Sequence, residues 1–244
     1  MIKSYKQHYL CEPVYALSGH LKAMELLTAF TTPDGTRVSW NDVTEILTPE
    51  YKWLNFVRQL SCIRQHHAWL HRHDIAVSLN LDEETAQGLV RDEDVLTLLS
   101  GMPCIRLEIN ECFTTSDREK QGLLGRLRRY VALWLDDVGS GSLNNFDLLV
   151  RGYFSGAKMD KSFFWQHHNT GTSRLEKVIR DLTRFAGQVV VEGIETPEHL
   201  LSLSRSPHCW LQGYLFARSG MASLQHIPLM TLEVGPASSP LCLY

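Results

Sequence analysis

The chain of 244 residues is 44% hydrophobic and 21% charged, a balance that is typical of a folded globular protein and argues against a disordered chain. Its formal net charge of −3 argues against DNA as a partner, because binding to duplex nucleic acid depends on clustered lysine and arginine. The length suits one α/β barrel, so we expect residues 1–244 to form a single domain.

Targeting signals are not evident in the sequence. The first residues lack the apolar core of a signal peptide, and no apolar run approaches the roughly 18 residues of a transmembrane helix. The six cysteines are scattered without a C-x-x-C pair, which predicts reduced thiols rather than a zinc site. We therefore expect a cytoplasmic protein that does not enter a membrane.

Short apolar segments with strand character recur along the chain, at residues 9–16, 21–28, 75–80, 104–109, 131–136, 156–159, 188–192 and 210–216. Helical patterns fall between several of them, at residues 49–73, 82–99 and 117–130. Strands that alternate with helices favour parallel pairing, and eight strands in this length favour a closed barrel. Only a few residues join the first two segments, so these should pair as an antiparallel hairpin. The predicted fold is a modified (β/α)8 TIM-like barrel with an antiparallel first strand.

Polar side chains stand at or near the ends of most of these strands. In barrels of this kind the carboxyl ends of the strands converge on one mouth, where the chemistry takes place. A single buried acid is often only an ion-pair partner, but five acids and an amide that converge from five strands are harder to explain in that way. The predicted site contains Glu25, Asn80, Glu108, Asp136, Asp137, Lys158 and Glu192.

The chemistry of these side chains indicates a metal site. Hard oxygen ligands without cysteine or histidine favour Mg²⁺, Mn²⁺ or Ca²⁺ over zinc or copper. Adjacent acids such as Asp136 and Asp137 can bridge two ions about 3.5 to 4 Å apart, a spacing that suits attack on phosphate esters. Hydrolysis of a phosphodiester is therefore the leading interpretation.

At these positions the chain resembles the EAL domain, a family of phosphodiesterases specific for cyclic di-GMP, and the resemblance covers nearly the whole sequence. Seven motifs occur in the family's order: Glu25-Leu26-Leu27, Ser78-Leu79-Asn80, Leu107-Glu108-Ile109-Asn110-Glu111, Asp136-Asp137-Val138-Gly139-Ser140-Gly141, Lys158-Met159-Asp160-Lys161-Ser162-Phe163, Val191-Glu192-Gly193-Ile194-Glu195-Thr196 and Gln212-Gly213-Tyr214-Leu215-Phe216-Ala217-Arg218. Any one of them is a weak signal, but seven in order are specific.

The resemblance implies a role for each residue. One cation would be held by Glu25, Asn80, Glu108 and Asp136, and a second by Asp136, Asp137 and Glu192. Lys158 would hydrogen-bond the attacking water, and Glu192 would be its general base. Gln212, Leu27 and Asp160 would contact the substrate, while Glu111 and Glu195 would brace neighbouring loops.

The same resemblance implies the reaction and its setting. The product would be linear pGpG, so the protein would lower a second messenger that controls biofilm, fimbriae and motility. The cofactors would be two Mg²⁺ or Mn²⁺ ions, with Ca²⁺ inhibitory. A homodimer would form through the loop and helix that follow Asp137.

Four departures from the family pattern affect these expectations. Ala29 replaces an arginine that contacts a substrate phosphate, and Glu12 replaces a glutamine of the first strand. Val138 and Ser140 replace phenylalanine and threonine in the Asp-Asp loop, and the segment from Asp136 to Lys158 is one residue longer than usual. None of these changes removes a predicted metal ligand.

Two alternative functions remain open. The chain could bind cyclic di-GMP or a protein partner without hydrolysis, although the complete set of ligands favours an enzyme. It could also be another barrel enzyme in which Lys158 forms a Schiff base. The acids around Lys158 would keep its pKa high, which disfavours that role.

Overall fold

Eight strands close into a barrel in a computed structural model that describes residues 5–38, 43, 46–109, 116–140, 146–168 and 172–231. The barrel order is β1-β2-β4-β5-β6-β7-β8-β9, and β9 pairs back with β1. Two short strands, β3 and β10, extend the sheet beside β2 and β1. The strands are β1 (Lys6–Ala16), β2 (Leu21–Thr31), β3 (Arg37–Val38), β4 (Ala76–Leu81), β5 (Ile105–Ile109), β6 (Ala132–Val138), β7 (Gly156–Met159), β8 (Gln188–Val191), β9 (Trp210–Gln212) and β10 (Ser219–Gly220).

The orientation of the first strand follows from its connection. β1 runs antiparallel to both of its barrel neighbours, β2 and β9, while the barrel pairings from β2 through β9 are parallel. The turn between β1 and β2 is too short for a helical crossover, so the two strands form a hairpin. The predicted TIM-like barrel with an antiparallel first strand is confirmed.

Helices cover the outside of the barrel where the structure describes it. They are α1 (Pro49–Arg72), α2 (Glu83–Leu89), α3 (Glu93–Ser100), α4 (Asp117–Leu127), α5 (Phe146–Val150), α6 (Lys161–His168), α7 (Thr172–Ala186) and α8 (Pro197–Ser202), with a 3₁₀ helix at Met221–His226. None of these helices is long and apolar enough to cross a membrane. The cysteines Cys11, Cys62, Cys104 and Cys209 are free thiols.

The longest helix shows how local signals fix these elements. The Thr48 side chain accepts a hydrogen bond from the Tyr51 amide at the start of α1, and Pro49 occupies the first turn, where proline is favoured. Buried side chains at helical spacing, including Leu60 and Ile63, pack the helix onto the barrel. The sequence predicted α1 to within one residue.

Several elements differ from their predicted extents: β1 begins three residues earlier, β2 ends three residues later, and α4 ends three residues earlier. Two further differences have a clear cause in hydrogen bonding. The predicted helix at residues 82–99 is two helices, because Asp92 accepts a hydrogen bond from the Val95 amide and caps a new start at α3. The last barrel strand is shorter than residues 210–216, because the chain turns after Gln212 and the Leu215 amide donates to the Ile194 carbonyl at 3.0 Å. Competing hydrogen bonds thus decide both boundaries, a local one at Asp92 and a long-range one at Leu215.

The end of the barrel opposite the carboxyl ends of its parallel strands is filled by an apolar cluster around Trp134, which is 2% exposed. Gly156 on the next strand makes room for the indole, since a Cβ there would lie 2.4 Å from Trp134 Nε1. The interior is therefore a packed core rather than a pore. The polar side chains are left to the other mouth.

Candidate active site

Lys158 lies at the centre of the polar mouth and is 2% exposed. Its Nζ lies 2.8 Å from Glu192 Oε1, 3.0 Å from Glu25 Oε2, 3.1 Å from Glu108 Oε2 and 3.4 Å from Asp136 Oδ1. The four acids come from β2, β5, β6 and the residue that follows β8. The structure therefore brings together side chains that are far apart in the sequence.

Strand register explains half of this convergence. Asn80 on β4 lies opposite Glu108 on β5, and Glu25 on β2 pairs with Ser78, two residues before Asn80. Residues two apart on a strand share a face. Asn80 Nδ2 can therefore reach Glu25 Oε1, at 2.7 Å.

The adjacent acids Asp136 and Asp137 on β6 reach the same site only through an irregular backbone, because neighbouring side chains on a strand normally point to opposite faces. The pairing of β6 with β7 is irregular between Leu135 and Val138, and Asp137 has a left-handed φ of 57°. This conformation is uncommon for a residue other than glycine and is frequent at functional sites. It brings carboxylate oxygens of Asp136, Asp137 and Glu192 within 4.8 Å of one another.

A tight turn holds Glu192 in place. Its amide donates to the Met159 carbonyl at 3.1 Å, which continues the ladder of β8 by one residue. Gly193 then adopts a φ of 75°, and a Cβ there would lie 2.6 Å from Lys161 Cβ. Trp165 Nε1 donates to the Gly193 carbonyl at 2.9 Å. The turn therefore requires glycine and is anchored to α6.

Burial and crowding shift the pKa values of these acids in different directions. Burial raises the pKa of Glu192 to about 7, against the opposing effect of Lys158. Burial also raises the pKa of Asp136, and it raises the pKa of Glu108 well above its usual range, with a further rise from Glu25. For Glu25, burial alone would raise the pKa, but Lys158 and the Gln212 hydrogen bond hold it below its ordinary value.

The same surroundings keep Lys158 charged. Burial would lower its pKa, but the carboxylates, with Asp136 and Glu108 foremost, raise it well above the ordinary value. A nucleophilic lysine must lose its proton. The structure therefore argues against the Schiff-base alternative.

The site has the properties of a cation site. Asp136 Oδ1 is buried and makes no well-formed hydrogen bond among the described residues, although Lys158 Nζ lies 3.4 Å away. One ammonium cannot neutralise the five carboxylates, whereas two divalent cations together with Lys158 would supply five positive charges. An all-oxygen donor set is the one that Mg²⁺ and Mn²⁺ prefer. The residues present therefore fit two such ions.

Gln212 lies beside the acids, as one of the most buried polar residues at 4% exposure. Its Nε2 donates to Glu25 Oε2 at 2.7 Å and to Glu12 Oε2 at 3.3 Å. Glu12 in turn forms an ion pair with Arg218. Sequence reasoning noted Glu12 but missed Arg218 as its partner, although Arg218 stands in the same closing motif as Gln212.

Other predicted residues lie further from Lys158. Leu27 lines a cavity of about 570 Å³ that extends along β2 and α1 and adjoins Asn80 and Glu108. Asp160 accepts hydrogen bonds from the Ser162 and Phe163 amides, at 2.9 and 3.2 Å, and so caps α6. Contacts of these two residues with substrate remain predictions.

Of the two acids predicted to brace neighbouring loops, only Glu195 lies within the described residues. Glu111 lies outside the described residues. Glu195 is exposed, and its amide donates to His199 Nδ1 at 3.2 Å. Their bracing roles stay predictions.

The predicted dimer surface is described only in part. Residues 141–145 of the loop after Asp137 lie outside the described chain. The helix that follows, α5, exposes Phe146 and Val150 to 40% and 49%. Homodimerisation through this region remains a prediction.

Comparison with known proteins places this geometry in a family. Residues 6–219 match the family described as EAL domain. The curated protein "Cyclic di-GMP phosphodiesterase PdeH" of Escherichia coli K12 is 26% identical over 214 residues, which cover 86% of this chain and 82% of PdeH. YdiV of the same strain, described provisionally as an anti-FlhC(2)FlhD(4) factor, is 27% identical over 201 residues, which cover 80% of this chain and 84% of YdiV.

Solved structures show the same fold. The crystal structure of the EAL-like domain protein YdiV superposes with a TM-score of 0.83 at 24% identity, covering 94% of this chain and 98% of YdiV. The PaMucR phosphodiesterase in complex with c-di-GMP gives a TM-score of 0.69 at 24% identity, covering 90% of this chain and 98% of PaMucR. At this level of identity, the likeness establishes the fold.

Proposed function

Because this chain belongs to the EAL domain family, we propose that it is a metal-dependent phosphodiesterase that hydrolyses cyclic di-GMP to linear pGpG. The observation that carries the proposal is the cluster of carboxylates around Lys158 at the barrel mouth. The similarity to PdeH supports the substrate. The cavity beside Asn80 and Glu108 offers space for part of a dinucleotide.

The family is metal-dependent, and the proposed ligands fall into two groups. Glu25, Asn80, Glu108 and Asp136 would hold one cation, and Asp136, Asp137 and Glu192 the other. Mg²⁺ or Mn²⁺ would lower the pKa of the attacking water and offset charge on the phosphate.

Residues of this chain would orient and deprotonate the water. Lys158 keeps its proton and can donate a hydrogen bond to the water oxygen. Glu192, whose Oε1 lies 2.8 Å from Lys158 Nζ, would accept the proton of the water as the general base. In the reaction, Glu192 would take a proton from the water, whose oxygen would bond to phosphorus as one ester P–O bond breaks. The departing ribose oxygen would receive the proton that Glu192 took up, directly or through solvent.

Hydrolysis of purified full-length protein with cyclic di-GMP tests this function. With Mg²⁺ or Mn²⁺ we expect conversion to pGpG, identified by mass, and no conversion in excess chelator or with Ca²⁺ alone. Binding of cyclic di-GMP without any product in either metal would overturn the proposed activity.

Ala29 offers a test of how this chain holds the substrate phosphate. Glu25, Leu27 and Ala29 share one face of β2 by strand alternation, so an arginine at position 29 would lie on the side of the site. We expect Ala29→Arg to tighten substrate binding by about 1 kcal/mol or more, as charge-assisted hydrogen bonds do. The measurement is the Michaelis constant, with Ala29→Met as a control for side-chain length. An unchanged constant would contradict this assignment of the phosphate.

A second candidate is a module that binds cyclic di-GMP or a protein partner without hydrolysis. The similarity to YdiV, which is described provisionally as an anti-FlhC(2)FlhD(4) factor and is 27% identical to this chain, favours a module that binds a protein partner. The buried ion pairs of Lys158 also stabilise the acids without a bound metal ion. The hydrolysis assay separates the two candidates.

A further inference from the structure

Two carboxylates face each other across the hairpin that opens the barrel. Glu12 on β1 and Glu25 on β2 are direct register partners, and their side chains are 12% and 9% exposed. Like charges directly opposite in an antiparallel pair repel each other. Each acid therefore has its own cation: Lys158 for Glu25 and Arg218 for Glu12.

The position of Arg218 follows from the sheet. β10 begins at the next residue and pairs with β1 at Leu10 and Cys11, which brings Arg218 beside Glu12. Its guanidinium lies 4.6 Å from the centroid of the Tyr214 ring, and that tyrosine is 67% exposed. Arg218 thus lies at the rim of the mouth, supported by an aromatic ring on one side.

The two basic side chains, Lys158 and Arg218, differ in access to solvent. Lys158 is 2% exposed and surrounded by carboxylates, whereas the Arg218 side chain is 32% exposed. An anionic ligand that enters the mouth therefore meets Arg218 before Lys158. Arginine presents a fork of donors that matches phosphate oxygens, but in this chain one of its nitrogens already binds Glu12.

We propose that Glu12 is an internal competitor for Arg218, which must give up its ion pair with Glu12 before the same guanidinium nitrogen can bind a phosphate oxygen of the cyclic dinucleotide. This inference rests on the proposed ligand of the site. The Glu12–Arg218 pair would weaken ligand affinity, because phosphate binding leaves Glu12 without its cation beside Glu25. Gln212, which donates to both acids, would then still hydrogen-bond Glu12.

The test compares dissociation constants for cyclic di-GMP, measured by calorimetry in Ca²⁺, where we expect no turnover. We expect Glu12→Gln to bind about tenfold more tightly than the wild type. The double variant Glu12→Gln with Arg218→Gln should bind about tenfold more weakly than Glu12→Gln alone, as for a lost charge-assisted contact. Damage to the fold would not tighten binding. The remote pair of Glu176 and Arg205 supplies a matched control, Glu176→Gln, which should leave the constant unchanged.

Either of two results would overturn the inference: Glu12→Gln that binds no more tightly than the wild type, or a double variant that binds as tightly as Glu12→Gln. Should Arg218→Gln fail to fold, Glu12→Gln alone decides. Binding without hydrolysis would overturn the proposed activity, but the dissociation constants of the variants would still decide this inference. No binding by any variant would overturn both.

Discussion

Replacing Glu192 by glutamine should lower kcat by about a thousandfold, in the range that loss of a general base produces. The substitution keeps the size of the side chain and the turn at Gly193, but it removes a carboxylate whose pKa is about 7 and one ligand of the proposed second cation. Substrate binding should persist, since the four proposed ligands of the first cation remain. The measurements are kcat for cyclic di-GMP and its dissociation constant in Ca²⁺.

A matched control for this variant is Glu198→Gln. Glu198 lies in the first turn of α8 and is exposed, so this variant should retain the wild-type rate. If Glu192→Gln kept more than about a tenth of the wild-type kcat, Glu192 would not be the base.

Replacing Lys158 by methionine should destabilise the metal-free protein by about 3 to 5 kcal/mol, as expected when one partner of a buried ion pair is removed. Methionine fills a similar volume but leaves Glu25, Glu108, Asp136 and Glu192 without their shared ammonium. The measurement is the free energy of unfolding in urea with excess chelator. Lys177→Met, on the exposed side of α7, is the matched control and should have no effect.

The loss in Lys158→Met should depend on pH. The pKa values of Glu108, Asp136 and Glu192 are raised by folding, so their protonated forms stabilise the folded state at low pH. That stabilisation is lost as the pH rises through the folded pKa, about 7 for Glu192. Lys158 lowers the pKa of all three acids, so ionising them costs more stability in its absence. The variant should therefore be less stable relative to wild type at pH 8 than at pH 5. Equal stability of variant and wild type at pH 8 would contradict the role of Lys158.

Much of the fold could be predicted from local patterns. Alternating strands and helices imply a parallel barrel, and the short turn after Ala16 implies the hairpin. The division between α2 and α3 was missed, because the apolar pattern continues across Asp92 while its capping hydrogen bond does not show in that pattern. The end of β9 was missed because it depends on a hydrogen bond to Ile194, in a distant part of the chain.

The candidate site was predictable in its residues but not in its arrangement. Acids at strand ends pointed to one mouth, since parallel strands share an edge. The left-handed conformation at Asp137 depends on the irregular pairing with β7, which no local pattern encodes. The contact between Glu12 and Arg218 joins residues that are about two hundred positions apart and arises only when β10 closes onto β1.

The central claim is that these side chains hold two divalent cations at the barrel mouth. Crystals of the wild-type protein grown with Mn²⁺ test it most directly, through the anomalous scattering of manganese. The account predicts two manganese peaks, one among Glu25, Asn80, Glu108 and Asp136 and one among Asp136, Asp137 and Glu192. Manganese absent from both positions, with Lys158 still bound to all four acids, would contradict it.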